Sequence, residues 1–274
     1  MRRRRANKVA LAAAALLLGA AAPAPKGPEI RIGPPSQQYE QCLALAGSNP
    51  KAALAAAQDW RDAGGGFPAG HCAAVALIGL KQYDVAAKRL EELAGAMMAE
   101  PAPLRAAALD QAGQAWLMTD RFAPAKADFD AALKLDSSNA EYWIDRAEAL
   151  AGGDQYWDAI DDLNRALELA PNNVDALLFR ASAYRAAGGA DGLDLALADV
   201  ERALKLAPDS ASGLLERGNI LRLKGDAAGA RRDWQRVTLI APRSSAAEFA
   251  RNNLAHINDS PGASLLITAP PQKN

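Results

Sequence analysis

Small and bulky apolar residues recur at helical spacing through the second half of the chain, and the pattern itself repeats. Ala125, Ala159, Ala196 and Ala230 are each followed four residues later by a large apolar side chain: Phe129, Leu163, Val200 and Trp234. A spacing of four puts both members on one face of a helix. The steps between successive alanines are 34, 37 and 34 residues, room for two helices and two short turns. A helical hairpin repeated in this way buries its apolar stripe only by stacking on its neighbours. The predicted fold class is therefore all-α, a solenoid of stacked antiparallel helix pairs.

Within that period the segment Ala140 to Asn173 is the most regular. Trp143, Ala147, Leu150, Ala159, Leu163, Ala166 and Pro171 stand where small residues let two helices cross closely, large ones fill the groove between them and a proline stops the second helix. On these residues the segment resembles a tetratricopeptide repeat over its whole length. Residues 106–139 (Leu109, Gly113, Trp116, Ala125, Phe129, Ala132) carry the same pattern, with Ser137 in place of the proline. Residues 174–210 carry Leu177, Ala181, Tyr184, Ala196, Val200, Ala203 and Pro208, with the three extra residues assigned to the turn near Gly188 to Gly192. Residues 211–244 carry Leu214, Gly218, Leu221, Ala230, Trp234, Val237 and Pro242. The resemblance implies a right-handed superhelix.

The pattern weakens towards the N-terminus. Residues 67–105 read as a divergent repeat with Gly70 at a place for a bulky residue, and residues 37–66 as a degenerate hairpin closed by Gly64 to Gly66. At the other end residues 245–258 read as a capping helix with Phe249 and Leu254 inward, and residues 259–274, rich in proline, as a disordered tail.

Met1 to Lys8 is cationic, Val9 to Leu18 apolar, and Gly19 to Ala24 small and proline-punctuated. This is the layout of a secretory signal peptide over residues 1–22, with cleavage after Ala20, Ala21 or Ala22 and a linker over 23–36. The apolar run is shorter than the ~20 residues of a spanning helix, so no stable membrane insertion is expected after cleavage; a retained anchor is the alternative. The alanine-rich style points to a bacterial protein, periplasmic or secreted.

Charge sharpens the exclusions. Without Arg2 to Arg5 and Lys8, 26 cations face 32 anions, so the mature chain is acidic and offers nucleic acid no basic surface. No phosphate loop, nucleophile elbow, H-E-x-x-H or paired C-x-x-C occurs, so neither a catalyst nor a cofactor is expected. The carboxylates Asp154, Asp158, Asp161 and Asp162 read as a helix start rather than a cation site.

The chain has two cysteines, Cys42 and Cys72. In an oxidising compartment they are a candidate disulfide between equivalent helices of successive hairpins. The alternative is a redox or metal centre formed by Cys42, His71 and Cys72.

The resemblance also implies a partner-binding concave face lined by first helices. Carried across, its side chains are Asp110, Gln114, Met118, Ile144, Glu148, Leu178, Ser182, Arg185, Leu215, Asn219 and Arg222. The expected function is a non-catalytic scaffold or adaptor of the bacterial cell envelope that binds a segment of another protein there.

Overall fold

The computed structural model describes residues 37–257, and among them all regular structure is helical. The segments read as leader (1–22), linker (23–36) and C-terminal tail (259–274) lie outside the described residues. Thirteen helices follow one another: α1 Gln37–Ser48, α2 Pro50–Asp62, α3 Gly66–Gly79, α4 Tyr83–Ala96, α5 Ala102–Leu117, α6 Phe122–Leu135, α7 Ala140–Gly152, α8 Tyr156–Leu169, α9 Val174–Ala187, α10 Ala190–Leu206, α11 Ala211–Leu223, α12 Ala227–Ile240 and α13 Ser245–Ala255. The described chain divides into two compact units within α7, between Ala149 and Leu150.

In the N-terminal unit α1 packs on α2 and α3, α4 on α3 and α5, and α5 on α6. Its core is built from alanines around a few large side chains, with Leu90, Phe129 and Tyr142 almost wholly buried. Gly113 allows α5 to approach α6, because a Cβ there would lie 2.6 Å from the Phe129 ring. In the C-terminal unit α9 pairs with α10 and α11 with α12, while α13 covers α11 and α12. Gly218 plays the part of Gly113, with the Trp234 ring 2.5 Å from where its Cβ would stand.

Local chemistry sets the helix boundaries. Asn49, Asn173, Ser210, Asp226 and Ser244 each accept a hydrogen bond from the backbone N–H three residues on, satisfying a donor that the first turn leaves unpaired. Between paired helices the chain turns through a left-handed residue, Lys81, Asp120, Asp154 or Gly225. The following N–H then bonds back to the carbonyl five residues earlier, as in Gln82 to Leu77 and Asp226 to Leu221.

Three details differ from the sequence reading. Helix α5 begins at Ala102, inside the 67–105 segment assigned to the preceding divergent repeat, with Pro101 as its N-cap and Pro103 in its first turn, where a proline forfeits no helical hydrogen bond. The extra residues after α9 are not turn: Gly188 and Gly189, both at positive φ, make the reversal, and α10 takes up the rest as a longer helix of 17 residues. In α13 the buried side chains are Ala246, Ala247, Ala250 and Asn253, while Phe249 and Leu254 are only half-covered, because the small face fits closest to α11 and α12.

Candidate first-helix interaction face

First helices of consecutive hairpins lie side by side in the C-terminal unit, α9 against α11 and α11 against α13. Side chains on the flanks between such helices are covered. Thus the fifth place of every regular repeat is buried: Asp110, Ile144, Leu178 and Leu215. Ser182 is buried as well. Gln114, Glu148, Arg185, Asn219 and Arg222 are half-buried, and Met118 is exposed. The row expected from sequence therefore splits into a buried layer and a layer that a partner can reach.

In the C-terminal unit that reachable layer is internally neutralised. Arg185 donates from Nε to Glu216 Oε1 at 2.6 Å and from Nη2 to Oε2 at 3.2 Å. Arg185 also reaches Ser182 Oγ, and Asn253 donates to Asn219 Oδ1 at 2.9 Å. Burial works against the guanidinium charge, but the Glu216 carboxylate holds its pKa above the usual arginine value. A bidentate pair of this kind fixes direction as well as charge.

The N-terminal unit presents the opposite case. Gln114 Nε2 donates to Asp110 Oδ2 at 3.0 Å and to Asp145 Oδ2 at 2.8 Å, so one amide bridges two carboxyl groups. Asp110 is fully buried and shares a hydrogen bond with Asp145, and the Gln114 Oε1 has no hydrogen-bond partner. Burial first, then the neighbouring Asp145, raises the Asp110 pKa well above the ordinary carboxylate range. Burial lifts Asp145 to about 6 against the help of Gln114, and burial with the Asp145 charge lifts Glu148 to about 8. Asp145 and Glu148 are three residues apart on α7 and share a face.

Solved structures settle what this stack is. A crystal structure of MamA aligns with a TM-score of 0.52 at 18% identity, covering 62% of this chain and 95% of that one. The structure described as YrrB, a TPR protein with an unusual peptide-binding site, aligns with a TM-score of 0.51 at 19% identity, covering 71% and 96%. The fold is TPR-like. No protein-family model and no curated relative matches the chain, so the likeness is one of fold.

At the blurred end of the TPR-like stack, Cys42 of α1 and Cys72 of α3 form a disulfide with their Cα atoms 6.1 Å apart. Beside it, the buried His71 ring is held from both sides. Its Nε2 lies 2.8 Å from Gln111 Oε1, an acceptor, so Nε2 carries the proton; Nδ1 then accepts from the Tyr39 hydroxyl at 2.7 Å. Burial lowers the His71 pKa, favouring that neutral ring. Among the described residues no group of three or more His, Cys, Asp or Glu is placed to hold a metal ion. The Cys42, His71 and Cys72 cluster is thus a bridge and a hydrogen-bonded clamp tying α1, α3 and α5.

Of one further layer the sequence singled out only Asp162, as part of a helix start. Asp128, Asp162, Asp199 and Asp233 are all buried, each immediately before the bulky residue of its second helix. Arg180 meets Asp199 through two bonds of 2.7 Å, and Arg217 meets Asp233 in the same way. Both arginines occupy the seventh place of their repeat. In the repeat beginning at Ala106 that place is Ala112, and Asp128 has no arginine there. Burial and the neighbouring Glu91 raise its pKa to about 7, and Glu91 instead receives the Trp116 indole N–H at 2.7 Å. The signal was an Asp at the same 34-, 37- and 34-residue steps as the apolar positions beside it.

Proposed function

We propose that this chain is a non-catalytic interaction scaffold whose first-helix face seats an extended or helical segment of a partner protein. The observation that carries the reading is the half-buried polar layer that each unit carries on first helices of a TPR-like frame, Gln114 and Glu148 in the N-terminal unit and Arg185, Asn219 and Arg222 in the C-terminal unit. Such a layer gives a bound segment directional contacts that an ordinary solvated face lacks. The likeness to a TPR protein described as having a peptide-binding site points the same way. The Cys42–Cys72 bridge suits an oxidising compartment, and with the leader-like N-terminus it supports a bacterial envelope setting. No helix among the described residues is long and apolar enough to cross a membrane.

Photocrosslinking amino acids placed at Met118 and at Arg222, with Leu239 on α12 as the control, test the seat directly. Met118 and Leu239 are both exposed, so reach alone does not separate them. The expected result is a discrete crosslinked partner from the two first-helix positions and none from Leu239; equal labelling from all three contradicts the assignment. N-terminal sequencing of the protein from its own cells tests the compartment, with a new terminus at residue 21, 22 or 23 expected and an intact Met1 contradicting it.

A further inference from the structure

The two units solve one electrostatic problem differently. In the repeats beginning at Val174 and Ala211, the carboxylate at the sixth place, Glu216, receives the arginine at the twelfth place of the preceding repeat, Arg185. In the repeats beginning at Ala106 and Ala140, the sixth place is again a carboxylate, Asp145, but the twelfth place of the preceding repeat is Leu117. The stack therefore supplies no cation where its own register supplies one further along. Glu148 stands beside Asp145 and meets no cation or hydrogen-bond donor among the described residues.

What remains unmet there is a set of acceptors. Gln114 Oε1 is buried and unpartnered, Asp110 shares a hydrogen bond with Asp145 but meets no cation, and the carboxyl groups of Asp145 and Glu148 are half-covered on the same face. Acceptors left unpaired away from water cost free energy that a donor restores. A donor that is also a cation restores the charge balance as well. The exposed Met118, which caps α5 one turn after Gln114, offers an apolar edge to the stem of a long side chain.

We infer that the face formed by Gln114, Asp145 and Glu148, backed by Asp110, is the seat of a lysine or arginine side chain presented by the partner segment. This inference rests on the scaffold reading and names the chemistry of what is bound. The incoming group fills the role that Arg185 fills for Glu216. A partner that is acidic throughout is rejected there by like charge.

The test pans a displayed library of random peptides on the full chain, on Asp145→Asn with Glu148→Gln, and on Leu117→Arg. The parent is expected to enrich peptides with a basic residue at one fixed position. Replacing that residue by norleucine or citrulline is expected to weaken binding about tenfold or more. The same loss is expected in the doubly neutral variant, without further loss when both changes are combined.

Leu117→Arg distinguishes lost recognition from lost folding. It places an arginine at the register position of Arg185 in exchange for a partly buried leucine of the neighbouring core, so it is expected to keep a cooperative thermal unfolding transition while abolishing binding of the basic peptides. Enriched peptides without a fixed basic residue, or unchanged binding by the neutral variant, overturn this inference and leave the scaffold reading standing. Self-association that the neutral variant loses, seen by analytical ultracentrifugation, overturns it in favour of a second copy as occupant. No enriched peptide, together with no crosslink from Met118 or Arg222, overturns both.

Discussion

A carboxyl group taken out of water keeps its proton unless a cation stands beside it, and this rule divides the residues of the two units. Glu216, Asp199 and Asp233 have arginines, whereas Asp128, Asp145 and Glu148 have neighbouring acids and pKa values raised to about 7, 6 and 8. For acids raised on folding, stability is full below the unfolded pKa and is lost as pH climbs through the folded value. The window therefore runs from about pH 4 to about pH 8. His71, lowered on folding, acts oppositely: its contribution is lost as pH falls below about 6.5. Glu148→Gln is expected to stabilise the protein near pH 9 and to change little near pH 5. Denaturant titration at both values checks this, and an equal effect at both contradicts it. Gly218→Ala is the corresponding steric test. Its Cβ would meet the buried Trp234 ring, so a loss of about 1–3 kcal/mol is expected, measured by the denaturation midpoint.

At the scale of elements, the disulfide compensates for an end of the stack that packs mostly through alanine. Ala46, Ala53, Ala57 and Ala76 fill the α1–α3 contacts, and each brings little apolar area. A bridge 30 residues across contributes about 3.6 kcal/mol in the chain-entropy model. Replacing both Cys42 and Cys72 by serine is expected to remove about that much. Hydrogen exchange is expected to speed up first in α1 and α2; uniform acceleration through α11 and α12 contradicts a local clamp. The hairpins themselves were legible in the sequence because alanine, large apolar residue and turn recur at fixed steps. The start of α5 at Ala102 and the longer α10 were not, because proline and glycine mark a boundary without telling which side of it stays helical. The fifth-place residues illustrate the same limit for the site. Spacing puts Asp110, Ile144, Leu178 and Leu215 on the partner-facing row, but only the neighbouring hairpin decides that they are covered.

For the whole molecule, the functional question is where an acidic, alanine-rich stack spends its polar groups. The regular period predicts a binding face without saying what binds, since this architecture presents many different surfaces. The discriminating feature is Leu117, which stands before Asp145 at the register position that Arg185 holds before Glu216, so the carboxyl groups beside it meet no cation from the preceding repeat. That feature was visible in the sequence as a leucine in line with Arg185. Its meaning required the distances that join Arg185 to Glu216 and Gln114 to Asp145. Carbodiimide labelling of carboxyl groups, with and without the crosslinked partner, tests the account most directly. The account predicts that Asp145 and Glu148 are protected on binding while the exposed Asp161 and Asp175 are labelled as before. Unchanged labelling of Asp145 and Glu148 in the saturated complex would contradict it.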